Sequence, residues 1–162
     1  MARLGAQIRP VAATRDDHHQ EDRLTFFLSS ADCSETRPAN TTEDFTVDIV
    51  GKPLKLEGVW AMALLDVSYG SNSENSEGGD MFVMCNIAKE SLATGRALPV
   101  LRRLWGKLHG RKKEIFQNPC YIPVNTANPI TALRIYITKT THRPITLGTS
   151  PVVCTLQLVR TS

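Results

Sequence analysis

The residues able to do chemistry are few and scattered. Histidine stands at His18, His19, His109 and His142, and cysteine at Cys33, Cys85, Cys120 and Cys154. A zinc site normally shows close ligand pairs such as C-x2-C, and no cysteine here has a partner at that spacing. Val83, Met84 and Val153 flank Cys85 and Cys154, the setting of reduced, buried thiols. His18 and His19 have no further ligand near them in a polar stretch, and a solvated segment is the plainer account. Jelly-roll enzymes hold metal through a close histidine pair on one strand, which no strand of this chain offers. Asp44 and Asp48 have the types of an acid/base pair, but they flank Phe45 and Val47 as the solvent side of a strand would. The nucleophile elbow G-x-S-x-G, the phosphate loop G-x-x-x-x-G-K-[ST], G-x-G-x-x-G and H-E-x-x-H are all absent. The expectation is therefore no catalytic residue, no cofactor and no metal, and a protein that is not an enzyme.

One constellation of charge stands out. Arg102, Arg103, Lys107, Arg111, Lys112 and Lys113 crowd into twelve positions around Trp105, with His109 among them. Such a run can contact phosphates or an acidic partner, and a tryptophan within it can stack on a base. The plainer alternative is a solvated loop around one core tryptophan. A net charge of +3 is too mild for the strongly basic face of a dedicated nucleic-acid binder.

The elements that must position these residues read as strands. Leu24, Phe26 and Leu28 alternate with polar neighbours, as do Phe45, Val47 and Ile49, then Leu54 and Leu56. Val59 to Val67 is apolar on both faces, as a covered central strand would be. Met81 to Ile87 forms another apolar run. Leu133, Ile135 and Ile137, and later Val152, Cys154, Leu156 and Leu158, resume the alternation. Only Leu101, Leu104, Trp105 and Leu108 have helical spacing, which predicts a turn or two of helix within Leu98 to His109. About eight strands separated by proline and glycine predict an all-β sandwich or barrel, and eight antiparallel strands in two sheets is the jelly-roll count.

With 162 residues the chain is long enough for one domain with a core of its own. Residues 1–23 are polar and predict a flexible N-terminal arm; residues 24–162 predict the domain. Ser71 to Asp80 reads as an exposed acidic loop. Asn40-Thr41-Thr42 matches a glycosylation sequon, but Asn beside Thr is also common in turns. No stretch is apolar for the roughly 20 residues a membrane span needs. Met1 to Asp22 has no secretory core, so a soluble protein inside the producing cell is expected.

Four stretches together resemble the penton-like minor capsid proteins of adintoviruses, Polinton/Maverick elements and adomaviruses. The first runs from Phe26-Phe27-Leu28-Ser29-Ser30 through Asn40-Thr41-Thr42 to Phe45-Thr46-Val47. The second carries Pro53, Leu56, Gly58, Trp60 and Leu64 at the spacing of that family's Pro-x-x-Leu-x-Gly-x-Trp-x-x-x-Leu run, with Tyr69 beyond. The third joins Leu98-Pro99-Val100-Leu101-Arg102 to Asn118-Pro119-Cys120-Tyr121-Ile122-Pro123-Val124. The fourth spans Leu133 to Ile137, Arg143-Pro144-Ile145 and Cys154 to Arg160. The likeness covers most of Leu24 to Arg160. It departs at Lys107 to Glu114, which is more basic than the family pattern.

The resemblance implies a single eight-stranded jelly roll that forms homopentamers at the fivefold vertices of an icosahedral shell. Its neighbours would be double jelly-roll major capsid proteins, with packaged DNA or a vertex-associated protein as further partners. The protein would be made in the host cytoplasm, assembled in the nucleus and carried in the virion. The competing expectation is a β-sandwich module that binds a receptor or ligand, betrayed by exposed aromatic residues clustered at one end.

Overall fold

The structure is a computed structural model and describes residues 22–32, 35–70, 80–105 and 110–161. The expected arm lies almost wholly outside these residues, as do Ser71 to Gly79 of the acidic loop. Eleven strands and no helix occur among the described residues. They are β1 (Arg23–Ser29), β2 (Asp44–Asp48), β3 (Val59–Tyr69), β4 (Met81–Cys85), β5 (Ser91–Ala93), β6 (Arg96–Leu98), β7 (Val100–Leu104), β8 (Lys112–Ile115), β9 (Ile122–Pro123), β10 (Ala132–Lys139) and β11 (Val153–Thr161). The protein is all-β, built from antiparallel sheets.

One sheet has the order β1-β11-β3-β8, with β9 joining β3 beyond the end of β8. The second runs β2-β10-β4-β7, and β5 and β6 form a separate hairpin. Alternation sends Leu28 of β1, Met62 and Leu64 of β3, and Leu156 and Leu158 of β11 inward. Phe45 of β2, Val83 of β4, and Leu133 and Ile135 of β10 face them, and all belong to one buried cluster. Burial of this kind stabilises by roughly 25 cal/mol per Å² of apolar surface, which makes it the main favourable term.

Two bulges shift the strand phase. Along β3, Leu64 pairs with Leu156 and Asp66 with Thr155, so Leu65 is an extra, unpaired residue. The inward set is thereby Trp60, Met62 and Leu64 before the bulge, then Val67 and Tyr69 after it. On β7, Val100 pairs with Met84 and Arg102 with Val83, leaving Leu101 as the extra residue. Leu101 and Leu104 are both buried in the core although three positions apart. The helical turn expected within Leu98 to His109 is accordingly a strand from Val100 to Leu104. A bulge adds one residue to a period of two, and the resulting spacing of three imitates a helix.

Leu54 and Leu56 also differ from expectation. Leu54 makes a single bridge to Ile130 rather than starting a strand. Gly58 then turns the chain at φ +90°, and a side chain there would meet Arg160 at 3.1 Å. The Trp60 indole N–H donates to the Glu57 carbonyl at 2.9 Å, which anchors the turn to the start of β3. The Pro53 to Trp60 motif thus builds a bend into a central strand.

Candidate interaction surface

β7 and β8 are edge strands of the two sheets, and Arg102 on β7 stacks over Phe116 just past β8, so both edges lie on the same side of the molecule. This places five of the six basic candidates on one flank. Lys107, with His109, lies outside the described residues.

Most of this charge is already engaged. Arg103 pairs with Asp80, and its guanidinium lies 5.6 Å from the centre of the Trp105 ring. Arg102 stacks over Phe116 at 4.5 Å and donates to the Asn118 carbonyl at 3.4 Å. Arg111 reaches Ser68 Oγ at 3.4 Å. Lys112 pairs with Tyr69 and Glu114 with Val67, residues of the inward face, so both charged side chains lie on the core side of β8. Lys113 and Ile115 point the other way and are exposed. Among the described residues, Lys112 and Lys113 make no ion pair. What the flank offers a partner is therefore Lys113 and the guanidinium edges of Arg103 and Arg111, a thin charge beside apolar side chains.

Trp105 is no core residue. It is 77% exposed, and Phe27 on β1, the far edge of the first sheet, is 57% exposed. These two large aromatics sit on opposite flanks of the sandwich. Sequence spacing alone placed Trp105 with Leu101 and Leu104; the strand ends at Leu104, and that carries the indole into solvent.

Inward-facing Glu114 has a structural partner. The buried Tyr69 hydroxyl donates to Glu114 Oε1 at 2.8 Å, and burial, with that carboxylate beside it, raises the phenol well above its usual range. Burial pushes the Cys85 thiol up to about 12 and raises Cys154 further, so both are inert at neutral pH. Cys120 is exposed, and Cys33 lies outside the described residues. Among the described residues no group of three His, Cys, Asp or Glu side chains could hold a metal ion. No helix long and apolar enough to cross a membrane occurs among them.

The remaining candidates have structural roles too. Asp48 pairs with Arg37, whose guanidinium holds the carboxyl below its usual range, and Asp44 pairs with Arg134 at 2.6 Å. The amide of Asn40, the sequon residue, donates to the Thr46 carbonyl at 2.9 Å and accepts from the Thr46 N–H at 3.0 Å. A side chain here takes the place a neighbouring strand would occupy along β2. Sequence reasoning saw Asn40 only as a turn residue, since the partner lies six positions away.

The outer face of the first sheet is the other surface on view. Rows run straight across it: Phe27, Thr155, Asp66 and Ile115 form one, and Ser29, Val153, Ser68 and Lys113 the next. Phe27 and Ile115 stand exposed at its two opposite edges. Tyr121 donates to Gln157 Oε1 at 2.6 Å, tying the segment before β9 to β11. No protein-family model matches the chain, and no curated protein matches it either.

Proposed function

We propose that the chain is a structural, non-catalytic subunit: a single jelly roll that assembles as a homopentamer to close the fivefold vertices of an icosahedral viral shell. The observation that carries this reading is the order of strand pairing. With the short β5, β6 and β9 set aside, the first of the remaining eight strands pairs with the last, the second with the seventh, the third with the sixth and the fourth with the fifth. That nesting is what one long hairpin makes when it is wrapped into two sheets. The two pairings that complete the sheets, β3 with β11 and β4 with β10, are those the wrapping brings together.

This topology supports a jelly roll, and the resemblance of Leu24 to Arg160 to penton-like capsid proteins supports its use at a vertex. A ring of five repeats one heterologous contact, so each subunit must be a rigid body with two different flanks. The sandwich offers such flanks, with β1 and β2 on one and β7 and β8 on the other. Neighbouring double jelly-roll capsomers, packaged DNA or a vertex-associated protein would meet the remaining surface. The segment Arg102 to Lys113 is the candidate contact for an acidic patch or a phosphate backbone. The competing binding-module reading finds little support, because the exposed Trp105 and Phe27 stand at opposite edges of the sandwich rather than side by side.

Native mass spectrometry of the purified protein at low and high salt tests the proposal. A five-subunit species is the expected result. A protein that stays monomeric at every concentration would transfer preference to the binding module. Charge reversal at Arg111 and Lys113 is expected to weaken incorporation into particles or packaging; unchanged assembly and packaging would remove both duties from the segment.

A further inference from the structure

We propose that the seam between subunits is formed by the two free edges of the first sheet, with β1 of one copy beside β8 of the next. The inference rests on the pentamer reading and adds to it which surfaces meet.

Four observations carry it. First, the second sheet is capped along β2, and the arginine side chains of its other edge strand, β7, are engaged. Asn40 fills the open side of β2 at Thr46, and Arg102 and Arg103 of β7 are held by Phe116, Asn118 and Asp80. Among the described residues, β1 pairs only with β11 and β8 only with β3; Asp32 caps the outer side of β1 at Ser29, and the stretch before it, through Phe27, has no strand beside it.

Second, the exposed apolar side chains at those sides are in register. Phe27 and Ile115 terminate the same row, 57% and 68% exposed. A neighbour that continues the sheet direction brings Phe27 of one copy against Ile115 of the next. Burying two such side chains favours association, and neither has a role in the core.

Third, charge is complementary at the same level. The next row ends in Ser29 on one side and Lys113 on the other. Asp32 sits at the Ser29 end, where its carboxylate accepts the Ser29 N–H at 3.0 Å. An acidic residue thus stands at the β1 end of the row that Lys113 closes on β8, two positions from Arg111.

Fourth, the contact is heterologous by construction. β1 never meets β1, so the seam repeats around a ring instead of stopping at a dimer. The inward Lys112 and Glu114 on short β8 discourage indiscriminate strand addition, which leaves side chains to choose the partner.

Engineered disulfides test the seam. In a background with Cys33→Ser and Cys120→Ser, the pair Phe27→Cys and Ile115→Cys is introduced singly and together, followed by mild air oxidation. Within one chain the two positions lie three strand spacings apart, about 14 Å, too far for an internal bridge. The double variant is expected to give a covalent ladder that ends at five chains, and each single variant no ladder. Adding Lys113→Glu to the double variant is expected to lower the yield several-fold, more at low salt than at high.

A five-subunit species by native mass spectrometry with no crosslink would overturn the seam and leave the pentamer standing. Dimers from either single variant would also overturn it, since they would show an isologous contact. Monomers without any crosslink would overturn the seam and remove the solution support for the pentamer as well.

Discussion

At the scale of single residues, three groups able to ionise belong to the core. Tyr69, Cys85 and Cys154 are buried in their neutral forms, and each is raised above its ordinary value. A raised acid contributes stability that is complete below its unfolded pKa and fades as pH climbs toward the folded one. For Cys85 that window opens at pH 9 and for Tyr69 at pH 10. Denaturant midpoints should therefore hold through neutral pH and fall above pH 9. Tyr69→Phe should cost about 1 kcal/mol at neutral pH, from the lost bond to Glu114, and should flatten the alkaline decline. At Gly58, substitution by Ala should cost about 1–3 kcal/mol in equilibrium unfolding, because φ is +90° and Arg160 occupies the space beside it. The absence of catalytic motifs was readable in the sequence. That Glu114 is the partner of Tyr69 was not, since the pair is 45 positions apart.

At the scale of elements, alternation predicted β1, β2, β10 and β11 closely, because each has one face to the core and no phase break. The bulged strands show where such reading fails. β3 carried its signal as continuous apolarity, which hid the phase shift at Leu65. β7 looked helical, because Leu101 and Leu104 are both inward across a bulge. The strand assignment makes a sharp contrast: Leu104→Ala should destabilise by about 2–5 kcal/mol, whereas Trp105→Ala should stay within about 0.5 kcal/mol. A helix burying both residues would make the two losses alike, so paired urea titrations decide the matter. Asn40→Ala should cost about 1–3 kcal/mol and expose the open side of β2. Light scattering during storage should then rise, because an uncovered edge recruits other strands.

At the scale of the whole molecule, the all-β class was legible in the spacing of apolar residues, while the order of strands was not. Pairing order depends on contacts between distant segments, and alternation records only which face each residue shows. The observed order joins distant strands throughout, which places the protein among slow folders. Refolding by dilution from urea should take milliseconds to seconds, as stopped-flow tryptophan fluorescence would measure. A microsecond phase carrying the full amplitude would contradict the nested pairing.

The placement of β11 has a consequence for synthesis. This strand lies between β1 and β3, so an interior position in the first sheet is filled by the last of the described strands to be made. While a chain is still being translated, β1 waits with neither of its sides satisfied, and Leu28 has no Cys154 to lie beside. The growing chain can gather its second sheet earlier, since β2, β4, β7 and β10 are all complete before β11 emerges. Only a chain translated through β11 presents the finished surface of its first sheet. On the pentamer reading, a chain made only as far as β10 has no finished first sheet through which to meet a neighbour.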